Sequence, residues 1–216
     1  MSGPRYDALV LAGGRAARLG TPKPDVVVVG RPLLDHVLTA TTGAEQTVVV
    51  GPPHLARPGL SVVREEPAFG GPVAGIDAGL AALASLASRR PTAGPSAAPA
   101  WVLLLACDVP RAAGAVPVLL EVAGGLAPTE DGVHLRREGR DQWLVGLYRH
   151  AALATALDDL RSGAGAFHGM PVRRVIERLR CRALEDPADL SDDVDTWDDV
   201  ERLDPGATRP VPEEPQ

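Results

Sequence analysis

Aromatic side chains are scarce in this 216-residue chain, with Phe, Trp and Tyr together at 3%. Alanine, valine and leucine must therefore do most of the packing. Cysteine is nearly absent: there are two, Cys107 and Cys181, with no C-x-x-C and no His/Cys cluster at zinc spacing. That excludes a disulfide framework or a zinc module and favours a reduced, cytoplasmic setting. No apolar run approaches the roughly 18 residues needed to span a bilayer, and residues 1–7 hold no apolar signal core, so a soluble protein with no membrane partner is expected. Basic residues are outnumbered, 22 Lys and Arg against 28 Asp and Glu, for a formal net charge of −6. That balance argues against a nucleic-acid binder. The five histidines are scattered and show no triad or metal spacing.

What remains suffices for one domain with a substantial core, since 45% of residues are hydrophobic. Strand-like runs alternate with helical patterns, which predicts an α/β domain with a mainly parallel sheet. Strands are expected near 7–11, 47–50, 60–64, 101–106, 128–136 and 142–148, and Val26–Val29 is a further short apolar run. Helices are expected from Pro32, from Pro72, and near 112–123, 150–161 and 170–179. In the helix from Pro72, Val73, Ile76, Leu80 and Leu83 recur at helical spacing, while Gly75 and Gly79 leave one face thin. The domain is bounded at 1–203. Residues 89–99 read as a flexible loop and 204–216 as a disordered tail rich in Pro, Glu and Gly. There is no internal repeat.

The segment Leu11-Ala-Gly-Gly-Arg-Ala-Ala-Arg-Leu-Gly-Thr-Pro-Lys23 follows directly on the first strand. Glycines without a Cβ allow backbone N–H groups to approach an anion, and Arg15, Arg18 and Lys23 offer charge to phosphate oxygens. It is not a P-loop, because Gly14 and Gly20 enclose five residues and Thr-Pro follows, and it lacks the G-x-G-x-x-G spacing of a dinucleotide fingerprint. Taken alone it could equally be an ordinary glycine turn.

Two further strand ends carry unusual residues. Asp108 follows the apolar strand Trp101–Ala106; a carboxylate there either meets a cation such as Mg²⁺ holding phosphates, or caps the helix near 112. Glu65 and Glu66 precede Gly70-Gly71-Pro72, a helix start whose N–H groups suit a phosphate or a base edge, or a plain tight turn. Residues 183–204 hold ten Asp and Glu against one Arg. Asp195 there is either a partner for a cation or, with Thr196, the N-cap of a short helix. Residues 170–182 are net +4, suited to an anionic second substrate or to a solvated helix face. Gln142-Trp143-Leu-Val-Gly146 suits a cleft wall or the core.

Together these segments resemble the molybdenum cofactor guanylyltransferase family of nucleotidyltransferases. The likeness rests on Leu11-Ala-Gly-Gly-x-x-x-Arg-Leu-Gly-x-x-Lys23, Gly71-Pro-Val-Ala-Gly75, Leu105-Ala-Cys-Asp108-Val-Pro, Gln142-Trp-Leu-Val-Gly-Leu-Tyr148 and Asp193-Val-Asp195-Thr, in family order over residues 7–203. The first motif is shared with sugar-phosphate nucleotidyltransferases; the others point to the cofactor branch. The resemblance implies a Rossmann-like three-layer α/β/α domain that moves GMP from GTP onto the terminal phosphate of molybdopterin or molybdenum-molybdopterin, releasing pyrophosphate. It implies nucleotide contacts from Leu11, Ala12, Gly13, Gly14, Lys23, Gly51, Glu66, Gly71 and Asp108, and catalytic roles for Arg18, Lys23 and Asp108. It also implies Mg²⁺ on Asp108 with Asp195 as second ligand, and transient contact with cofactor-loading or acceptor proteins. The family usually has Asp where Pro22 stands, and Asp rather than Glu at position 66. A cytidylyl- or sugar-phosphate nucleotidyltransferase on the same fold, and a non-catalytic nucleotide-binding regulator, are the alternatives.

Overall fold

The structure is a computed structural model that describes residues 3–13, 19–89, 99–164, 167–207 and 209. In chain order its elements are β1 (Tyr6–Leu11), β2 (Val27–Val28), β3 (Arg31–Pro32), α1 (Leu33–Ala40), β4 (Thr47–Val50), β5 (Ser61–Val63), α2 (Pro72–Ser88), β6 (Trp101–Ala106), α3 (Ala112–Gly124), β7 (Gly132–Arg137), β8 (Arg140–Arg149), α4 (His150–Ala164), α5 (Arg173–Ile176), β9 (Cys181–Glu185) and α6 (Trp197–Leu203).

Seven strands form one sheet in the order β5-β4-β1-β6-β8-β7-β9. All neighbours pair in parallel except β8, which runs against both β6 and β7. The sheet is thus mostly parallel, and its central strands are apolar on both faces because both are covered. Helices α1 and α3 pack one face with Val10, Val49, Leu103 and Leu105. Helices α2, α4 and α5 pack the other with Leu9, Val48, Val102 and Leu104. The thin face of α2 has a clear purpose. A Cβ on Gly79 would stand 2.1 Å from Leu9 Cδ1, and one on Gly75 would stand 3.2 Å from Leu11 Cδ2. The helix can lie on β1 only because those side chains are missing.

From β1 the chain moves outward to β4 and β5, then crosses back to β6 on the other side of β1. That reversal opens a crevice at the carboxyl ends of β1 and β6, where open α/β sheets bind ligands. Leu11 and Ala106 are register partners, and Cys107 N–H donates to Leu11 O at 3.0 Å. Gly13 and Asp108 therefore leave the sheet side by side.

A third, smaller cluster sits outside the main sheet: Leu19, Val26, Val28 and Leu33 pack against Val194, Trp197 and Val200. Trp197 Nε1–H donates to Leu19 O at 3.0 Å. Burying an aliphatic side chain contributes about 1.5–3 kcal/mol, enough to hold residues 19–33 against the start of α6.

Three expectations differ from the structure. The run Val26–Val29 forms only a two-residue antiparallel ribbon with β3, outside the main sheet. The helix expected over 170–179 is the single turn α5. Past Glu177 its hydrogen bonds tighten to Arg178 N→Val175 O and Leu179 N→Ile176 O, and the chain is then taken up as β9 alongside β7. The tail from Asp204 begins packed rather than loose: Val29 N–H donates to Asp204 Oδ2 at 2.8 Å, and Ala207 lies on the third cluster. Of the loop expected at 89–99, residues 90–98 lie outside the described residues. Among the described residues no helix is long and apolar enough to cross a membrane.

Candidate active site

The crevice is a cleft of about 640 Å³, lined along its floor by Leu11, Ala12 and Gly13 at the end of β1, and by Ala106, Cys107 and Asp108 at the end of β6. Lys23 and Pro24 close one side, Glu65, Phe69, Gly71, Pro72 and Gly75 another, and Leu144 and His168 the third. Gly71 is the N-cap of α2 at φ 91°, a left-handed conformation that glycine adopts without strain. It brings the first turn of that helix to the cleft wall.

Lys23 Nζ donates to Asp108 Oδ2 at 2.6 Å and also to Asp195 Oδ1. Their side chains are only 25% and 14% exposed for Lys23 and Asp108, so solvent screens this pair weakly. Burial by itself would depress the Lys23 ammonium, but Asp108 and Asp195 outweigh it and hold the charge well above the ordinary lysine range. Asp195 arrives because Val194 N–H donates to Asp108 O at 2.9 Å and because Thr196 caps α6. The Thr196 hydroxyl accepts from Asp199 N–H, and the Asp199 carboxylate accepts from Thr196 N–H at 2.8 Å. Thr196 is thus the N-cap, and Asp195 next to it pairs with the Lys23 ammonium.

Asp193 joins the group, since one oxygen each from Asp108, Asp193 and Asp195 lie within 4.8 Å of one another. Loss of hydration in this crowded corner, then the like charges of Asp108 and Asp195, push the Asp193 carboxyl upward. Three carboxylates against one ammonium leave a net charge of −2. A set of hard oxygen donors with that imbalance fits a divalent cation such as Mg²⁺.

Other positions depart from expectation. Glu66 is exposed and does not line the cleft; Glu65, 6% exposed, does, and its Oε1 would lie 3.6 Å from a Cβ on Gly13. Both residues follow the end of β5 at Val63, and the loop there turns Glu65 inward, where its Oε1 accepts from Phe69 N–H, and leaves Glu66 exposed. Gly51 is also off the cleft. Its N–H donates to Val63 O at 2.8 Å, and a Cβ there would meet Ala12 O at 3.1 Å, so it supports the turn from behind. Gly14, Arg15 and Arg18 lie outside the described residues. None of the arginines of 170–182 lines the cleft; Arg173 pairs with Glu177 at 2.5 Å and Arg182 with Glu130 at 2.8 Å. Trp143 packs on the second core cluster, and Leu144 is the residue of that motif on the cleft wall. Phe69 and His168 carry no signal in the sequence, and Asp193 stands there only as part of the Asp193-Val-Asp195-Thr motif, with no role of its own. For Asp193 the signal was its two-residue spacing from Asp195, which puts both on one side of an extended segment.

Comparison with known proteins agrees with this architecture. The model of the MobA-like NTP transferase domain matches residues 8–184. A probable molybdenum cofactor guanylyltransferase of Nostoc sp. is 33% identical over 169 residues, covering 74% of this chain and 73% of that one. Among solved structures, molybdopterin-guanine dinucleotide biosynthesis protein A of Archaeoglobus fulgidus superposes with a TM-score of 0.64 at 19% identity, covering 92% and 97% of the two chains. A 2-C-methyl-D-erythritol 4-phosphate cytidylyltransferase of Thermus thermophilus gives 0.63 at 19%, covering 93% and 98%. At such identities these structures speak for the fold.

Proposed function

This chain belongs to the MobA-like NTP transferase domain family, and from that premise we propose that it transfers GMP from GTP to the terminal phosphate of molybdopterin, with or without bound molybdenum. A phosphate oxygen of the acceptor attacks the α-phosphorus in line; the new O–P bond forms as the bond to the leaving pyrophosphate breaks. The observation that carries this reading is the meeting of Lys23 with Asp108 and Asp195 in a cleft floored by the glycine turn.

The backbone of Leu11 to Gly13 would hold the nucleotide against the strand ends, with Gly71 and the first turn of α2 opposite. Lys23 would neutralise charge developing on the leaving pyrophosphate. Asp108 would hold Mg²⁺, with Asp195 and Asp193 beside it; bound there, the ion supplies positive charge to phosphoryl oxygens. The acceptor phosphate is already largely ionised near neutral pH, its second pKa being about 6, so no general base is needed. Catalysis of this kind is positioning and charge neutralisation.

The test is pyrophosphate release measured with each of the four NTPs, with and without molybdopterin. Release with GTP only when molybdopterin is present supports the reading. Release with CTP instead would move the chain to the cytidylyl branch of the same fold. Nucleotide binding without any release would make it a regulator.

A further inference from the structure

Phe69 is one of four described residues that expose a large hydrophobic side chain, and it alone among them lines the cleft. It is 50% exposed and held at φ 61°, a left-handed conformation that bulky side chains rarely adopt. Its neighbours fix it there. Phe69 N–H donates to Oε1 of the buried Glu65 at 3.0 Å, and Gly70 O accepts from Gly169 N–H at 2.8 Å. The Arg64 guanidinium lies over one face of the ring, 5.2 Å from its centroid. A strained backbone over-determined by its surroundings at a cleft is a pointer to function.

Position says which part of a ligand it would meet. Phe69 N–H is 3.0 Å from Glu65 Oε1, which lies 3.6 Å from the Cβ position of Gly13, so Phe69 stands near the end of β1, on the flank away from β6 and Asp108. A nucleoside triphosphate with its phosphates at Lys23 and Asp108 therefore runs its sugar and base across the end of β1 toward Phe69. The acceptor's way in is on the opposite flank, past Leu144 of β8.

We propose that Phe69 is the stacking platform for the nucleobase of the bound nucleotide. The proposal deepens the functional reading above and rests on it. A ring accepts any base through its π-face, so Phe69 supplies affinity and orientation; selection among bases is left to polar groups around it.

The experiment is calorimetric titration of the wild type and the Phe69→Ala, Phe69→Gly and Phe69→Tyr variants with a non-hydrolysable GTP analogue, and separately with inorganic tripolyphosphate, both with Mg²⁺. The Gly variant removes the ring while retaining ease at positive φ, so it separates loss of stacking from distortion of the loop. Phe69→Ala and Phe69→Gly are expected to lose about tenfold in affinity for the analogue and to bind tripolyphosphate as the wild type does, with Phe69→Tyr within about twofold of wild type. Analogue affinity unchanged in the Gly variant overturns the proposal, as does an equal loss for tripolyphosphate or a defect confined to the KM for molybdopterin. If the wild type binds the analogue but releases no pyrophosphate with GTP and molybdopterin, the functional reading fails while the stacking result stands. If it binds no nucleotide, both fall.

Discussion

Lys23 Nζ donates to Asp108 Oδ2 over 2.6 Å although 85 residues separate the two in the chain. The contact is made by three different parts of the fold. The crossover at β1 puts Asp108 beside the glycine turn, the third hydrophobic cluster pins the Lys23 segment, and the capped start of α6 adds Asp195. In the free protein the ammonium is shared between two carboxylates. For Lys23 to serve a phosphate, something else must balance those acids, and a divalent cation does so by charge.

Lys23→Ala and Asp108→Ala are each expected to cut turnover at least about a hundredfold, the scale of removing one electrostatic stabiliser from a pre-organised site. Pyrophosphate release is the readout, with thermal unfolding run in parallel to show that the variants fold. Removing divalent ions with EDTA should abolish turnover and Mg²⁺ should restore it. Near-normal rates in either variant would contradict the assigned roles.

Glu65 and Glu66 differ in what they face, and the pair gives a sharp comparison. Glu65→Ala removes a buried carboxylate from the cleft and the acceptor that fixes Phe69 N–H. Nucleotide affinity should fall by about tenfold or more, since a hydrogen bond to a charged group contributes about 1.5–3 kcal/mol. Glu66→Ala alters an exposed side chain and should stay within about twofold. Equal effects measured by titration would show that the opposite placement of these two carboxylates is wrong.

Much of this was legible in the sequence because parallel strands buried on both faces announce themselves as continuous apolar runs. Thr47–Val50 and Trp101–Ala106 were readable with their boundaries. What the chain places at the ends of β1 and β6, Gly13 and Asp108, follows from where ligands sit in such sheets. Less legible were the edges. The strand β9 is written Cys-Arg-Ala-Leu-Glu and is half exposed, so its one arginine, Arg182, reads with the four before it as part of a solvated helix face. Glu65 and Glu66 could not be told apart because both lie in the loop past Val63, where no periodicity says which turns inward. Phe69 gave no periodic signal at all, since its orientation comes from a loop conformation rather than from an element.

Gly79 tests the packing argument. Gly79→Val would drive carbon into Leu9, which is fully buried in β1. Overpacking of that kind costs typically about 1–3 kcal/mol, and the gain in helix propensity over glycine offsets only part of it. A loss of about 2 kcal/mol in urea unfolding is expected. Leu9→Ala alone should cost about 2–5 kcal/mol through the cavity it leaves. Combined, the two should cost clearly less than their sum, because the valine fills space the leucine vacates; strict additivity would mean that the helix and strand do not meet as described.

The cap of α6 ties stability to pH in a way that can be worked out from one carboxylate. Burial would raise the Asp199 pKa, but hydrogen bonds from the Thr196 side chain, from Arg202 and from the Thr196 and Asp195 N–H groups outweigh it, lowering the value from 3.8 to about 2. A folded-state pKa below the unfolded one means the folded state prefers the ionised form, so the contribution is fully present above about pH 4 and is lost as pH falls toward 2. Its size at neutral pH is on the order of 2 kcal/mol. Asp199→Asn should therefore destabilise the protein at pH 7 and progressively less on acidification, the gap to wild type in urea unfolding narrowing between pH 4 and pH 2. Thr196→Ala, which removes the other half of the box, should cost about 1 kcal/mol. A gap for Asp199→Asn that stayed constant from pH 7 to pH 2 would show that the carboxylate is not held ionised by the cap. Because the same turn delivers Asp195 to Lys23, both variants should also raise the Mg²⁺ concentration needed for half-maximal turnover at pH 7.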